Sequence, residues 1–185
     1  MGKKWIDGKP AGKDDDSTKS LYEVTCEWLE RTPIQGSTPK SKNDEKNVTN
    51  FINNYLKAHK AVYPDTNQEA IDFFDGDSSL RRRRAGLIFI ESYRELPLLA
   101  WPRKLISTLI ELEESMILWR SSHARMVERM IGRRIGTGGS SGVDYLDMTT
   151  KYRVFIDLWA VRSVLIKKEA LPPLKNPDFY EFKGE

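Results

Sequence analysis

The sequence has little of what most structural and functional classes require. Cys26 is the only cysteine among 185 residues, so no intrachain disulfide can form and the composition fits a reducing compartment, the cytoplasm. No apolar run approaches the roughly 18 residues that a membrane span needs. The opening Met1-Gly2-Lys3-Lys4-Trp5-Ile6 has no apolar signal core, and position 6 is not the Ser or Thr of a myristoylation signal. Charge of one sign is scarce as well. Thirty Lys and Arg stand against 27 Asp and Glu, a net of +3, which demands no polyanionic partner such as nucleic acid. The apolar/polar alternation of a half-buried strand appears nowhere, so the expected fold is all-α.

What is present is one dominant stretch, Trp101 to Gly142. Leu105, Leu109, Leu112, Met116, Trp119, His123, Met126 and Met130 follow at spacings alternating between four and three. That spacing places them in one stripe along a helix. Pro102 suits the first turn, where its missing N–H costs nothing, and Gly132 suits the end. The spacing therefore predicts a helix over 102–131, roughly 45 Å long at about 1.5 Å per residue. One member of the stripe is out of character. An imidazole there is either a satisfied core histidine or a ligand, and neutral imidazole binds haem iron well.

Behind the helix runs Gly136-Thr137-Gly138-Gly139-Ser140-Ser141-Gly142. Glycines this dense lose much conformational entropy on ordering. They suit either a linker or a loop whose backbone approaches a ligand closely. A phosphate loop is excluded because no lysine follows the glycines. The dinucleotide pattern fails too, because position 141 is a serine and no strand precedes.

Along the rest of the chain, residues 1–19 carry no periodicity and read as a disordered or partner-contacting arm. From Ser20, Leu21, Val24, Trp28 and Leu29 share a helical face until Thr32-Pro33. Asn43 or Asp44 caps a helix burying Val48, Phe51, Ile52, Tyr55, Leu56 and His59, and Pro64 ends it. Ala70 to Phe74 suggest a short helix, and Ser78 or Ser79 caps the next. That one opens with Arg81-Arg82-Arg83-Arg84 and continues into Leu87-Ile88-Phe89-Ile90. Four arginines in a row spread over every face of a helix, so some must pair internally or meet an anionic cofactor group; a nucleic-acid patch would need further basic or aromatic support. Val154, Phe155, Leu158, Val161 and Leu165 mark a last helix. The domain is therefore 20–175, with a tail at 176–185, and about six or seven helices surround the long one.

Three stretches together resemble the tryptophan 2,3-dioxygenase family: Trp119-Arg120-x-x-His123; Met126-Val127-Glu128-Arg129-Met130-Ile131-Gly132; and the Gly136–Gly142 loop with Tyr145-Leu146 behind it. The likeness extends through Tyr152 to Trp159 and back to Trp28-Leu29-Glu30-Arg31-Thr32-Pro33, about residues 20–175 in all. It implies that His123 is the proximal ligand of haem b iron. It also implies that Thr137, with Gly138, binds the charged end of L-tryptophan, and that Trp28, Arg31, Thr32 and Pro33 match a second tryptophan site. The family enzyme is about twice as long, and its N-terminal half supplies the distal haem face. No catalytic residue of that half is present here.

The resemblance implies an oxygenase that joins dioxygen and L-tryptophan into N-formylkynurenine. It further implies a second polypeptide carrying the missing half and a tetramer of complete units. A haem-dependent hydroxylase of another aromatic amino acid, and a non-catalytic haem-binding or oligomerisation module, are the alternatives.

Overall fold

The computed structural model describes residues 19–134 and 142–181. Of the expected arm 1–19, all but Lys19 lies outside them, as do Thr137 and Gly138. Seven α-helices stand among the described residues: α1 (Leu21–Glu30), α2 (Asp44–Val62), α3 (Asn67–Phe73), α4 (Ser78–Ser92), α5 (Pro97–Ile131), α6 (Val143–Thr149) and α7 (Ile156–Ala160). Three short 3-10 turns follow, and the only β pairing described is the isolated bridge Ile34–Ser37. The fold is all-α. No described helix is long and apolar enough to cross a membrane.

The chain divides into two compact units, the first running to Ile106 and resuming at Asp157, the second spanning Ser107–Ile156. In the first unit, α1 begins at a complete capping box. The Ser20 side chain accepts the Glu23 N–H, and Glu23 reaches back to the Ser20 N–H at 2.6 Å, satisfying two of the donors a helix start leaves open. The buried face of α1 is Thr25 and Leu29, whereas Leu21 and Val24 are exposed. This corrects the face expected from spacing, and Gly86 supplies the reason. A Cβ at that position of α4 would stand 2.7 Å from the Leu29 carbonyl and 3.1 Å from the Thr32 Cβ. The helices meet backbone to backbone through the Leu29 side of α1, and only glycine permits it.

Helix α2 buries Val48, Phe51, Ile52, Tyr55 and His59, as their spacing predicts, with Leu56 only half-buried. Phe51 stands edge-on to Phe89 at 5.4 Å, and Phe89 meets Tyr180 at 5.2 Å. Tyr180 is thus a core residue of the first unit, although it falls in the stretch read as a tail. Helix α4 is capped one residue before the nearer of the two expected caps, Ser78. Asp77 is the N-cap, its carboxylate accepting the Leu80 N–H at 2.7 Å.

Three of the four arginines pair inside the first unit. Arg82 meets Asp44, Arg83 meets Glu30 and Arg84 meets Asp157, at 3.1, 3.2 and 2.9 Å. Arg84 also donates to the Phe73 carbonyl and lies over the Phe73 ring.

Burial pushes two core phenols up to about 12: Tyr55, whose hydroxyl donates to the Val164 carbonyl, and Tyr180. A phenol raised above its unfolded value near 10 lends its stability fully below that value and loses it as pH climbs through the folded value. Unfolding free energy should therefore hold to about pH 10 and fall between about 10 and 12. Denaturant titration of wild type and Tyr180→Phe checks this. The variant should show a shallower alkaline loss, and an identical slope would contradict it.

Candidate functional site

Helix α5 starts at Pro97, one turn earlier than the expected Pro102, which sits inside it. Pro97 takes the first-turn position that suits proline, and Leu98–Ala100 continue the helix to Pro102. In the second unit the buried face of α5 carries Leu109, Glu113 and Ala124. The Glu113 carboxylate accepts the backbone N–H groups of Val154 and Phe155, the latter at 3.4 Å. Arg120, two turns on, donates to the carbonyls of Thr149 and Tyr152 at 3.3 and 3.4 Å. An acid and a base on one helix face thus hold the return of the chain after α6. The last helix starts at Ile156, two residues after the Val154 expected within it. It lasts only to Ala160 before a 3-10 turn, Val161–Val164. Arg125 and Arg133 tie α5 and the residues just beyond it to Asp147 and Asp144 of α6.

The expected stripe is split: Leu109 lies on the buried face, whereas from Leu112 onward the stripe containing His123 faces elsewhere. Leu112, Met116, Trp119, Met126 and Met130 are all exposed, Trp119 at 66% and Met130 at 75%. His123 is half-buried among them, its ring stacked on Trp119 with centroids 5.4 Å apart and planes 6° from parallel. A row of large apolar side chains this long is more than an isolated helical unit normally leaves open to water. The second unit therefore presents a half-buried imidazole in the middle of a row of apolar side chains exposed among the described residues.

A separate cavity of about 130 Å³ in the first unit brings together Trp28, Arg31, Thr32 and Pro33 with Leu98, Leu99, Pro102, Phe179 and Tyr180. All four residues of the expected second site are there. The Tyr180 hydroxyl donates to the Pro33 carbonyl at 2.8 Å and accepts the Gly36 N–H at 2.9 Å, fixing the turn after α1. Arg31 is exposed, its Nε donating to the Glu27 carbonyl at 3.1 Å. An engineered cavity of about 150 Å³ takes a benzene ring, so this one is on the scale of a single aromatic ring. Phe179 and Tyr180 were not anticipated as lining residues. The one available signal was an aromatic pair in a charged stretch.

Thr137 and Gly138 lie outside the described residues. A sequence profile of the tryptophan 2,3-dioxygenase family matches residues 16–165. The chain belongs to that family. It is 42% identical to a tryptophan 2,3-dioxygenase 2 of Ralstonia nicotianae, over 90% of this chain and 53% of that one. The likeness to a tryptophan 2,3-dioxygenase of Sorangium cellulosum is 41%, covering 91% of this chain and 48% of the relative. A tryptophan 2,3-dioxygenase-like protein of Xanthomonas campestris pv. campestris is also 41% identical, over 90% of this chain and 72% of that protein. The chain thus spans about half the length of the two family members named as enzymes.

Proposed function

We propose that this chain forms the proximal side of a haem-dependent tryptophan dioxygenase, with His123 holding the iron. The observation that carries the reading is the half-buried imidazole in the middle of an exposed apolar row. The residues fit the cofactor: the His123 imidazole would hold haem iron, and the apolar side chains around it would cover the porphyrin. Met116, Trp119, Met126 and Met130 offer that cover. Trp119, stacked flat on His123, would hold the imidazole plane in one orientation, and what holds a ligating histidine tunes the metal. Bound haem would supply the activation of dioxygen by which both oxygen atoms enter the 2,3-bond of the indole and give N-formylkynurenine.

The chain's own part is to bind and orient. Thr137 and Gly138 are assigned to the ammonium and carboxylate of L-tryptophan, on their place in the family motif. The opposite side of the cofactor is assigned to a second polypeptide, and the working particle to a tetramer of complete units in the cytoplasm. Mass measurement of the purified particle, identification of every chain in it and product analysis with L-tryptophan and dioxygen test the assignment. N-formylkynurenine made by a particle containing a second chain is the expected result. A hydroxylated aromatic amino acid as product would favour the hydroxylase reading. A haem-loaded monomer active by itself would contradict the need for a partner.

The cavity at Trp28, Arg31, Thr32 and Pro33 is assigned to a second tryptophan, its indole against the apolar wall and its carboxylate towards Arg31. Loss of a hydrogen bond to a charged group costs about 1.5–3 kcal/mol. In haem-free protein, Arg31→Ala should therefore weaken tryptophan binding by roughly ten- to a hundredfold. Calorimetric titration checks this, and unaltered affinity would remove Arg31 from the site.

A further inference from the structure

The turn that follows α1 in the first unit carries backbone strain beside the Trp28 cavity. Ile34 and Ser37 exchange both backbone hydrogen bonds, at 2.9 and 3.0 Å, across Gln35 and Gly36. Both central residues have positive φ, 53° at Gln35 and 74° at Gly36. Glycine suits that conformation. Glutamine does not, and a residue of this kind at positive φ persists where surrounding contacts fix it.

The contacts that fix it come from the other end of the chain. Gln35 Oε1 accepts the Lys175 backbone N–H at 2.7 Å. The Tyr180 hydroxyl accepts the Gly36 N–H and donates to the Pro33 carbonyl. Gly36 also lies against the same segment, since a Cβ there would stand 3.5 Å from Asn176 Nδ2 and 3.8 Å from Phe179 Cγ. Three hydrogen bonds thus tie the turn to residues 175–180, across 140 to 147 positions of sequence.

Both partners of this clamp are walls of the cavity. Pro33 lines it from the side of the turn, Phe179 and Tyr180 from the side of the C-terminal segment. That second wall is a single 3-10 turn, Pro177–Tyr180, and one turn of helix has no stability of its own. Its place is fixed by the packing of Tyr180 on Phe89 and by the clamp. A ring bound in the cavity would touch both walls and so favours the docked segment. Loosening the clamp lowers the docked fraction, and the apparent affinity falls with it.

We propose that Gln35 and Tyr180 are positioning residues for the ligand of this cavity. By clamping residues 175–180 as its closing wall they set its affinity for an aromatic amino acid, and the bound ligand in turn holds that segment in place. The proposal rests on the reading of the cavity as a second tryptophan site.

Two variants separate positioning from plain support of the fold. Gln35→Gly deletes the carboxamide and gives the turn the residue its φ favours, so its urea midpoint should stay near that of the wild type. Tyr180→Phe deletes the hydroxyl alone and leaves the ring on Phe89. Both are titrated calorimetrically with L-tryptophan as haem-free full chain, beside the wild type and Arg31→Ala. Tryptophan binding should weaken roughly three- to tenfold in each, the effect of one lost hydrogen bond. Tryptophan should also slow amide hydrogen exchange over residues 175–181 in the wild type, and less so in the two variants. Binding that falls in Arg31→Ala but not in Gln35→Gly and Tyr180→Phe, or exchange over 175–181 unmoved by tryptophan, would overturn the clamp alone. Absence of tryptophan binding by the wild type would overturn the reading of the cavity and the clamp with it.

Discussion

Arg82→Ala should lower the unfolding free energy by about 3–5 kcal/mol, the largest loss from any single truncation of a charged side chain in this protein. Arg82 and Asp44 are each about nine-tenths buried as side chains, with Nε 3.1 Å from Oδ2. Burial pulls the guanidinium down from its ordinary value, and the Asp44 carboxylate opposes that pull. The pair exists because each charge compensates the other's desolvation. Removing one partner leaves Asp44 buried with only the Ser37 hydroxyl as a described donor, and orphans the Thr32 carbonyl. Arg83→Ala makes the contrast. Its bridge to Glu30 is 3.2 Å long, but the side chains are 21% and 33% exposed, so the loss should stay near 1 kcal/mol or below. Urea unfolding of both variants decides it. With a slope of about 2 kcal/mol per molar, Arg82→Ala should move the midpoint by about 1.5–2.5 M. Equal small shifts would mean that the pair adds nothing beyond a surface bridge.

That pair also shows where sequence reading stops. Four consecutive arginines force some to pair internally, which is legible from helix geometry. The identity of the partners is not, because Asp44, Glu30 and Asp157 lie 38, 53 and 73 positions away and only the fold brings them close. The buried face of α2 was legible because Val48 to His59 keep a clean helical period. On α1 two faces lie close together in angle, and the small Thr25 and the glycine opposite decided which one packs. Periodicity counts apolar residues and does not report the close approach at Gly86. The His123 stripe was legible as a stripe. Its exposure was not, since a repeat says which residues share a face and nothing of what covers it.

Glu113 was missed for a related reason. It stands among Glu111 and Glu114 in an ordinary acidic run, and its burial follows from the backbone N–H groups it accepts. The Trp28–Pro33 constellation was found through the family motif. Its cavity is completed by Phe179 and Tyr180 from the far end of the chain, a contact that no local pattern announces.

The account stands or falls on His123, and haem titration followed by absorption spectroscopy tests it most directly. The protein is taken as it purifies, with any second chain retained, and compared with His123→Ala. A stripe position on the exposed face supports no core packing, so far-ultraviolet circular dichroism should be unchanged in the variant. The spectrum of histidine-ligated haem should appear in the wild type, disappear in His123→Ala and return when free imidazole is added, because the cavity left by the side chain admits the missing ligand. An intact histidine-ligated spectrum in His123→Ala, at unchanged haem affinity, would contradict the assignment of His123 and of this face to the cofactor.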